Sequence, residues 1–258
     1  MYPSGEALRN AVAKGDFTNQ TSGQAPGYVQ ANLAILPKEW AWDFLLFAQR
    51  NPKPCPILEV GDVGSFLTKT IAKDANIKTM IPKYRVYLHG KLVDEPTNLE
   101  KYWQDDFVYF LIGCSFSFEQ ALISAGLEIR HITEGCNVPM YVTNIMCQSA
   151  GKFQASPMVV SMRPFKAQAA IKAIEVTSDY PRVHGSPVHI GDPSLIGIAD
   201  LNQPDFGDAV TVNDNEIPVF WACGVTPQKA ALVSKPPIMI THAPGYMFVS
   251  DISNTALK

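Results

Sequence analysis

One stretch, residues 107–126, constrains the fold more than any other. It reads Phe-Val-Tyr-Phe-Leu-Ile-Gly-Cys-Ser-Phe-Ser-Phe-Glu-Gln-Ala-Leu-Ile-Ser-Ala-Gly. Its first six residues are apolar, too few to span a membrane and rich in aromatic and branched side chains, which predicts a strand buried on both faces. Gly113 ends the run. Ser117 and Gln120 have capping-box spacing, Glu119 suits the positive end of a helix dipole, and Gly126 can stop a helix in a left-handed turn. Cys114 and Ser115 then sit between a strand's end and a helix's start, where unpaired amides converge and favour an anion. The same spacing also fits a buried structural cysteine beside an ordinary cap.

A chain of 258 residues can bury a full core, as one large domain or as two small ones sharing an interface. With 47% hydrophobic and 17% charged residues it is a folded chain rather than a disordered one. A net charge of -3 offers no basic excess for nucleic acid or an acidic membrane, so the expected partner is a small molecule. The opening residues lack a basic region followed by an apolar run, and no window reaches membrane-helix length; the expected location is cytoplasmic. Five cysteines, Cys55, Cys114, Cys136, Cys147 and Cys223, form no C-x-x-C pair. That argues against a disulfide framework and a structural zinc site.

Taken in order, residues 3–14 predict a helix capped by Ser4 and stopped by Gly15, and residues 16–27 an exposed polar loop of a length that often serves function. Pro37 leads into a helix over 39–50, apolar on most sides and expected to be deeply packed. Three prolines make 51–56 a rigid connector. A strand follows at 57–60, then a helix near Ser65, and then alternation over 81–88 ending in a hairpin turn at His89-Gly90. Beyond Gly126 the pattern predicts strands at 138–143 and 158–162, the latter ending at Arg163, a helix at 167–176, and a short strand at 188–190. Residues 203–216 read as an acidic solvated loop. The last third repeats the opening device: strand 218–222, Cys223-Gly224, and a helix capped by Thr226 with Pro227 in its first turn. Cys223 thus stands where Cys114 stands. The expected fold is mixed α/β (α+β). A larger three-layer α/β/α unit comes from 1–119 and 201–258, with a smaller two-layer α/β subdomain inserted over 120–200.

Several longer motifs carry a resemblance. They are Ala25-Pro26-Gly27-Tyr28 with Gln30-Ala31-Asn32-Leu33, Arg50-Asn51-Pro52-Lys53-Pro54-Cys55-Pro56, Ile112-Gly113-Cys114-Ser115-Phe116-Ser117-Phe118-Glu119, and Val138-Pro139-Met140-Tyr141. Val159-Val160-Ser161-Met162-Arg163-Pro164, the run from His184 to Pro193, Phe220-Trp221-Ala222-Cys223-Gly224-Val225-Thr226-Pro227-Gln228 and Ile240-Thr241-His242-Ala243-Pro244-Gly245 continue them. Together they resemble the family of hydro-lyases that includes the D-glutamate cyclase domain, over nearly the whole chain. The chain departs from the family pattern at Ala48, often Cys there, and at Ala155-Ser156, often Gly-Pro. The resemblance implies a cofactor-independent loss of water from a small amino or hydroxy acid, with D-glutamate converted to 5-oxo-D-proline as the first reaction to test.

That cyclisation needs a base, an oxyanion pocket, an acid and a carboxylate clamp. The amides around Ser115 and Ser117, and those around Thr226, can hold carboxyl groups at two helix starts. Arg163 is the candidate bidentate clamp. His189 oriented by Asp192, or else His242, is the candidate base, with His184 at a neighbouring turn in the substrate site. Glu119 can be the acid, though a first-turn helix glutamate fits as well. Cys114 or Cys223 becomes a nucleophile if a helix start lowers its pKa. The spacing of His184, His189 and Asp192 matches no familiar metal set, and no metal is assigned. Two alternatives stay open: dehydration across a carbon–carbon bond, and noncatalytic binding of a small carboxylate. A homo-oligomer is left open as well.

Overall fold

The computed structural model describes residues 1–258. In chain order the elements are α1 (Gly5–Lys14), β1 (Tyr28–Pro37), α2 (Lys38–Arg50), β2 (Ile57–Val60), β3 (Tyr84–Leu88), β4 (Lys91–Asp94), β5 (Phe107–Gly113), α3 (Phe116–Ser124), α4 (Arg130–Thr133) and β6 (Met140–Met146). They continue with β7 (Pro157–Lys166), α5 (Ala167–Ser178), β8 (His189–Ile190), β9 (Glu216–Ala222), α6 (Thr226–Ser234), β10 (Ile238–His242) and β11 (Phe248–Ser253). The fold is mixed α/β with two sheets. One has the order β2-β5-β1-β10-β3-β4, with β11 also on β1; the other has the order β6-β7-β9-β8. Every pairing is antiparallel. No helix is long and apolar enough to cross a membrane.

β5 is buried throughout, as its composition predicts, and it pairs with β1 from Gly113↔Ala31 to Phe107↔Pro37. Its side chains alternate between two cores. Phe110 and Ile112 join Phe44 and Phe47 of α2, Val160 and Met162 of β7, and Phe220 of β9, so the two sheets share one core. Phe107, Tyr109 and Leu111 face outward onto Ile71, Ile77 and Ile81. That outer cover is irregular, and the helix expected near Ser65 does not form. The carboxylate of Glu59 accepts from the amides of Lys69, Thr70 and Ile71, and also from Thr70 Oγ1 and Tyr109 Oη. A side chain thus satisfies the backbone groups that a helical ladder would have paired. The outer face of the second sheet, with Val219 and Trp221, packs on Phe118 and Leu122 of α3 and on Ala170 and Ala173 of α5.

Local signals held where they were short-range. Ser4 Oγ accepts from the Ala7 amide at 3.1 Å, and Gly15 closes α1 in the left-handed region. His89 (φ 47°) and Gly90 (φ 77°) make the hairpin turn. Other expectations fail. α2 buries only Phe44, Phe47 and Ala48, while Trp42 is 71% exposed. The 16–27 loop is partly packed, with Thr21 and Ala25 buried. Arg163 lies inside β7 rather than at its end, because the strand runs on to Lys166 against β9. β9, from beyond residue 200, supplies the third strand of the second sheet, so the sheets do not divide there.

Candidate active site

Two strand-to-helix corners meet in the interior. At the first, α3 begins at Phe116 with Ser115 before it in helical conformation, and neither serine caps the helix with its side chain. Ser117 Oγ instead accepts from the Gln30 amide at 2.9 Å and donates to the Gln30 carbonyl at 3.2 Å, tying α3 to β1. At the second, Thr226 Oγ1 donates to the Cys223 carbonyl at 2.7 Å and accepts from the Val159 amide at 3.1 Å. Asn32 of β1 stands between the corners. Its Nδ2 donates to the Gly113 carbonyl at 2.7 Å, and a Cβ on Gly224 would lie 1.9 Å from that nitrogen. Cys114 and Cys223 share one apolar cluster with Phe116 and Val225. Burial pushes both thiols up, Cys223 to about 11, so the helix starts do not make them thiolates.

Beside the first corner is a buried charged cluster. Arg163 donates from Nε and Nη2 to Glu119 Oε1, the former at 3.1 Å, from Nη2 to Ser115 Oγ at 3.1 Å, and from Nη1 to Ser161 Oγ at 3.2 Å. Its guanidinium also lies over the rings of Phe118 and Trp221. Its donors are therefore engaged within the protein, and Arg163 clamps Glu119 rather than standing free for a substrate carboxylate. His131 Nε2 lies 3.2 Å from Glu119 Oε1 and 3.1 Å from Ser22 Oγ, which donates to Glu119 Oε2 at 3.3 Å. The His131 ring stacks on Phe116. Burial pushes the Glu119 carboxyl up, but His131 and Arg163, by charge and hydrogen bonds, outweigh it and hold the group at about 2. Glu119 is thus an ionised anchor at neutral pH, not the proton-donating acid expected.

His131 and Ser22 open onto a cavity of about 890 Å³, whose wall also includes Gln20, Asn137, Asp208 and Tyr246. Glu119 itself lines a smaller cavity of about 130 Å³, together with Phe116, Gln30 and Tyr28. The loop over 19–24 forms part of both walls. No group of three or more His, Cys, Asp or Glu side chains converges so as to hold a metal ion.

Of the residues read from sequence, Glu119, Arg163 and Ser115 come together. The histidines do not. His189 sits on edge strand β8 with its ring against Phe220, and its Nε2 is 2.7 Å from the Asp192 carbonyl. The Asp192 carboxylate instead accepts from the Ser194 amide, capping a short helix, so it does not orient the imidazole. His242 accepts at Nδ1 from the Leu33 amide at 3.1 Å, filling the ladder where β1 passes from β10 to β11. His184 Nδ1 lies 2.8 Å from the Lys53 carbonyl. Burial lowers both His184 and His242 to about 4, so both are neutral. None of His184, His189, His242, Cys114 or Cys223 lines the large cavity. His131, Ser22, Gln20 and Asn137 were missed. Only the length of the polar loop pointed toward two of them, and His131 lies on a four-residue helix too short to show a period.

A sequence profile described as D-glutamate cyclase matches residues 108–251. A protein of Clostridium beijerinckii named "Putative hydro-lyase" is 57% identical over 258 residues, covering 100% of this chain and 97% of that one. One of the same name from Bacillus velezensis is 58% identical over 254 residues, covering 98% and 96%. Among solved structures, a nitrogen repressor-like protein of Methanococcus jannaschii aligns over 97% of this chain and 98% of its own, with a TM-score of 0.37 and 12% identity. That likeness is too slight to bear on fold or function.

Proposed function

The chain belongs to the D-glutamate cyclase family, and from that membership we propose that it is a hydro-lyase acting on a small amino or hydroxy acid, with conversion of D-glutamate to 5-oxo-D-proline as its reaction. The observation that carries this reading is the buried Glu119–His131 pair, whose histidine lines a cavity with room for a small acid. His131 meets Glu119 through Nε2, which keeps a proton there and leaves Nδ1 to accept one from a ligand. Glu119, which His131 and Arg163 hold ionised, orients the imidazole through its Oε1, 3.2 Å from Nε2. In the cyclisation the amine nitrogen attacks the side-chain carboxyl carbon, a C–N bond forms, and a C–O bond breaks. The ammonium gives up two protons and the departing oxygen gains them, so water leaves and net charge is unchanged. His131 carries protons from nitrogen to oxygen, and the Ser22 hydroxyl, which donates to Glu119 Oε2, holds the pair in place beside the cavity.

The test is proton NMR of the protein incubated separately with D- and L-glutamate, scored by the ring signals of 5-oxoproline and repeated with His131→Asn. The expected result is product from the D form and a loss of roughly 10²-fold or more in the variant, with its circular dichroism unchanged. A wild-type rate in His131→Asn would remove His131 as the base. No product from either enantiomer would remove glutamate as the substrate and leave family membership standing.

A further inference from the structure

Ser22 reaches the Glu119–His131 pair from a loop, and its contacts there, 3.3 Å to Glu119 Oε2 and 3.1 Å to His131 Nε2, lie near the limit of hydrogen-bond reach. A displacement of roughly half an ångström would break the first of them. Backbone preference alone does not hold the loop in that place. Ala25 has φ 45°, a left-handed conformation that a side chain disfavours and that persists only where the surroundings enforce it.

The enforcing side chain is Gln30 of β1, which is buried. Its Nε2 donates to the Thr21 carbonyl at 2.9 Å and to the Gln24 carbonyl at 3.4 Å, and its Oε1 accepts from Thr21 Oγ1 at 2.8 Å. A flipped amide would set its oxygen against two carbonyls, so this orientation is fixed. The two loop residues it grips stand immediately before Ser22 and immediately before Ala25. The turn before β11 clasps Thr21 from the other side: the Thr21 amide donates to the Gly245 carbonyl at 2.9 Å, and Thr21 Oγ1 accepts from the Met247 amide at 3.0 Å. The main chain of Gln30, meanwhile, is bonded in both directions to Ser117 Oγ, two residues before Glu119. One residue thus locates the loop through its side chain and α3 through its backbone.

We propose that Gln30 is a positioning residue of the site, registering Ser22 on the loop against Glu119 on α3 and, through them, the His131 ring; the proposal rests on reading the Glu119–His131 pair as the catalytic centre. Gln30 does not line the large cavity, so it acts through the groups it holds.

Gln30→Met tests this, because it keeps the length of the side chain and the main-chain bonds to Ser117 while removing the grip on the loop. The readout that needs no turnover is the His131 ring signal in a carbon–proton correlation spectrum of the full chain, assigned by its absence from His131→Asn. That signal should move in Gln30→Met and in Ser22→Ala, and adding Gln30→Met to Ser22→Ala should move it no further. In 5-oxoproline formation each single variant should lose roughly tenfold or more, and the double variant no more than the weaker of the two singles. Thr21→Val removes the hydroxyl that Gln30 Oε1 accepts from, and it should reproduce the displacement of the ring signal if Gln30→Met proves unfolded. An unmoved signal in folded Gln30→Met or Thr21→Val, or shifts and losses that add in the double variant, would overturn the proposal. Absence of 5-oxoproline from the wild type would sink the lyase reading, while the ring signal alone would still decide for or against Gln30.

Discussion

Glu119→Gln should destabilise the protein by an amount that depends on pH in a predictable way. The carboxyl is 3% exposed and is held at about 2 against an ordinary 4.5, so little solvent screening applies. At pH 7 that difference corresponds to about 3 kcal/mol of folding free energy from the ionised group. The figure agrees with the ~3–5 kcal/mol lost when one partner of a buried ion pair is removed, here leaving Arg163 uncompensated. The sign follows from a folded pKa below the unfolded one. The contribution is complete above 4.5 and is lost as pH falls toward 2, so at pH 3 roughly half of it remains. Urea unfolding followed by tryptophan fluorescence, run on wild type and variant at pH 7 and pH 3, reads both values. A variant equal to wild type at pH 7, or one whose deficit is the same at both pH values, would refute the assignment of Glu119 as an ionised anchor.

Two further outcomes follow from the corners and the ladder. Gly224→Ala places a methyl against Asn32 in a packed interior and should cost ~1–3 kcal/mol in chemical denaturation, whereas an unchanged midpoint would mean that Asn32 does not wedge the corners apart. His242→Phe strands the Leu33 amide and should lower stability at pH 7 by ~1–3 kcal/mol. Because the folded protein refuses a proton at His242 down to about 4 while the unfolded chain accepts it near 6.5, wild-type stability falls between those values. The variant should lose less over that range, and equal slopes would count against the neutral buried imidazole.

The sequence was legible where the physics is local. Six apolar residues before Gly113 marked β5, Ser4 and Gly15 bracketed α1, and His89-Gly90 made its hairpin. Partners distant in the chain left no local trace. Glu119 and Arg163 each stood out, but nothing in either segment said that they would neutralise each other. Ser117 and Thr226 had the look of caps and became rivets to neighbouring strands, since packed backbone nearby offered them partners. His242 was read for its chemistry, yet its nitrogen substitutes for a missing carbonyl at a sheet junction. His131 gave no signal because its importance comes wholly from what Glu119 and Ser22 bring to it.

β1 meets its partners late. It pairs with β5, β10 and β11, and the Leu33–His242 contact closes over 209 residues of chain. As the chain leaves the ribosome, this central strand emerges before β5, β10 and β11, and its full complement of neighbours exists only once β11 has been made. Until then an apolar segment waits with open hydrogen-bonding edges, a state in which strands find wrong partners. The contact order this imposes slows folding, and it makes the synthesis of β10 and β11, more than any local element, the event that commits the larger sheet.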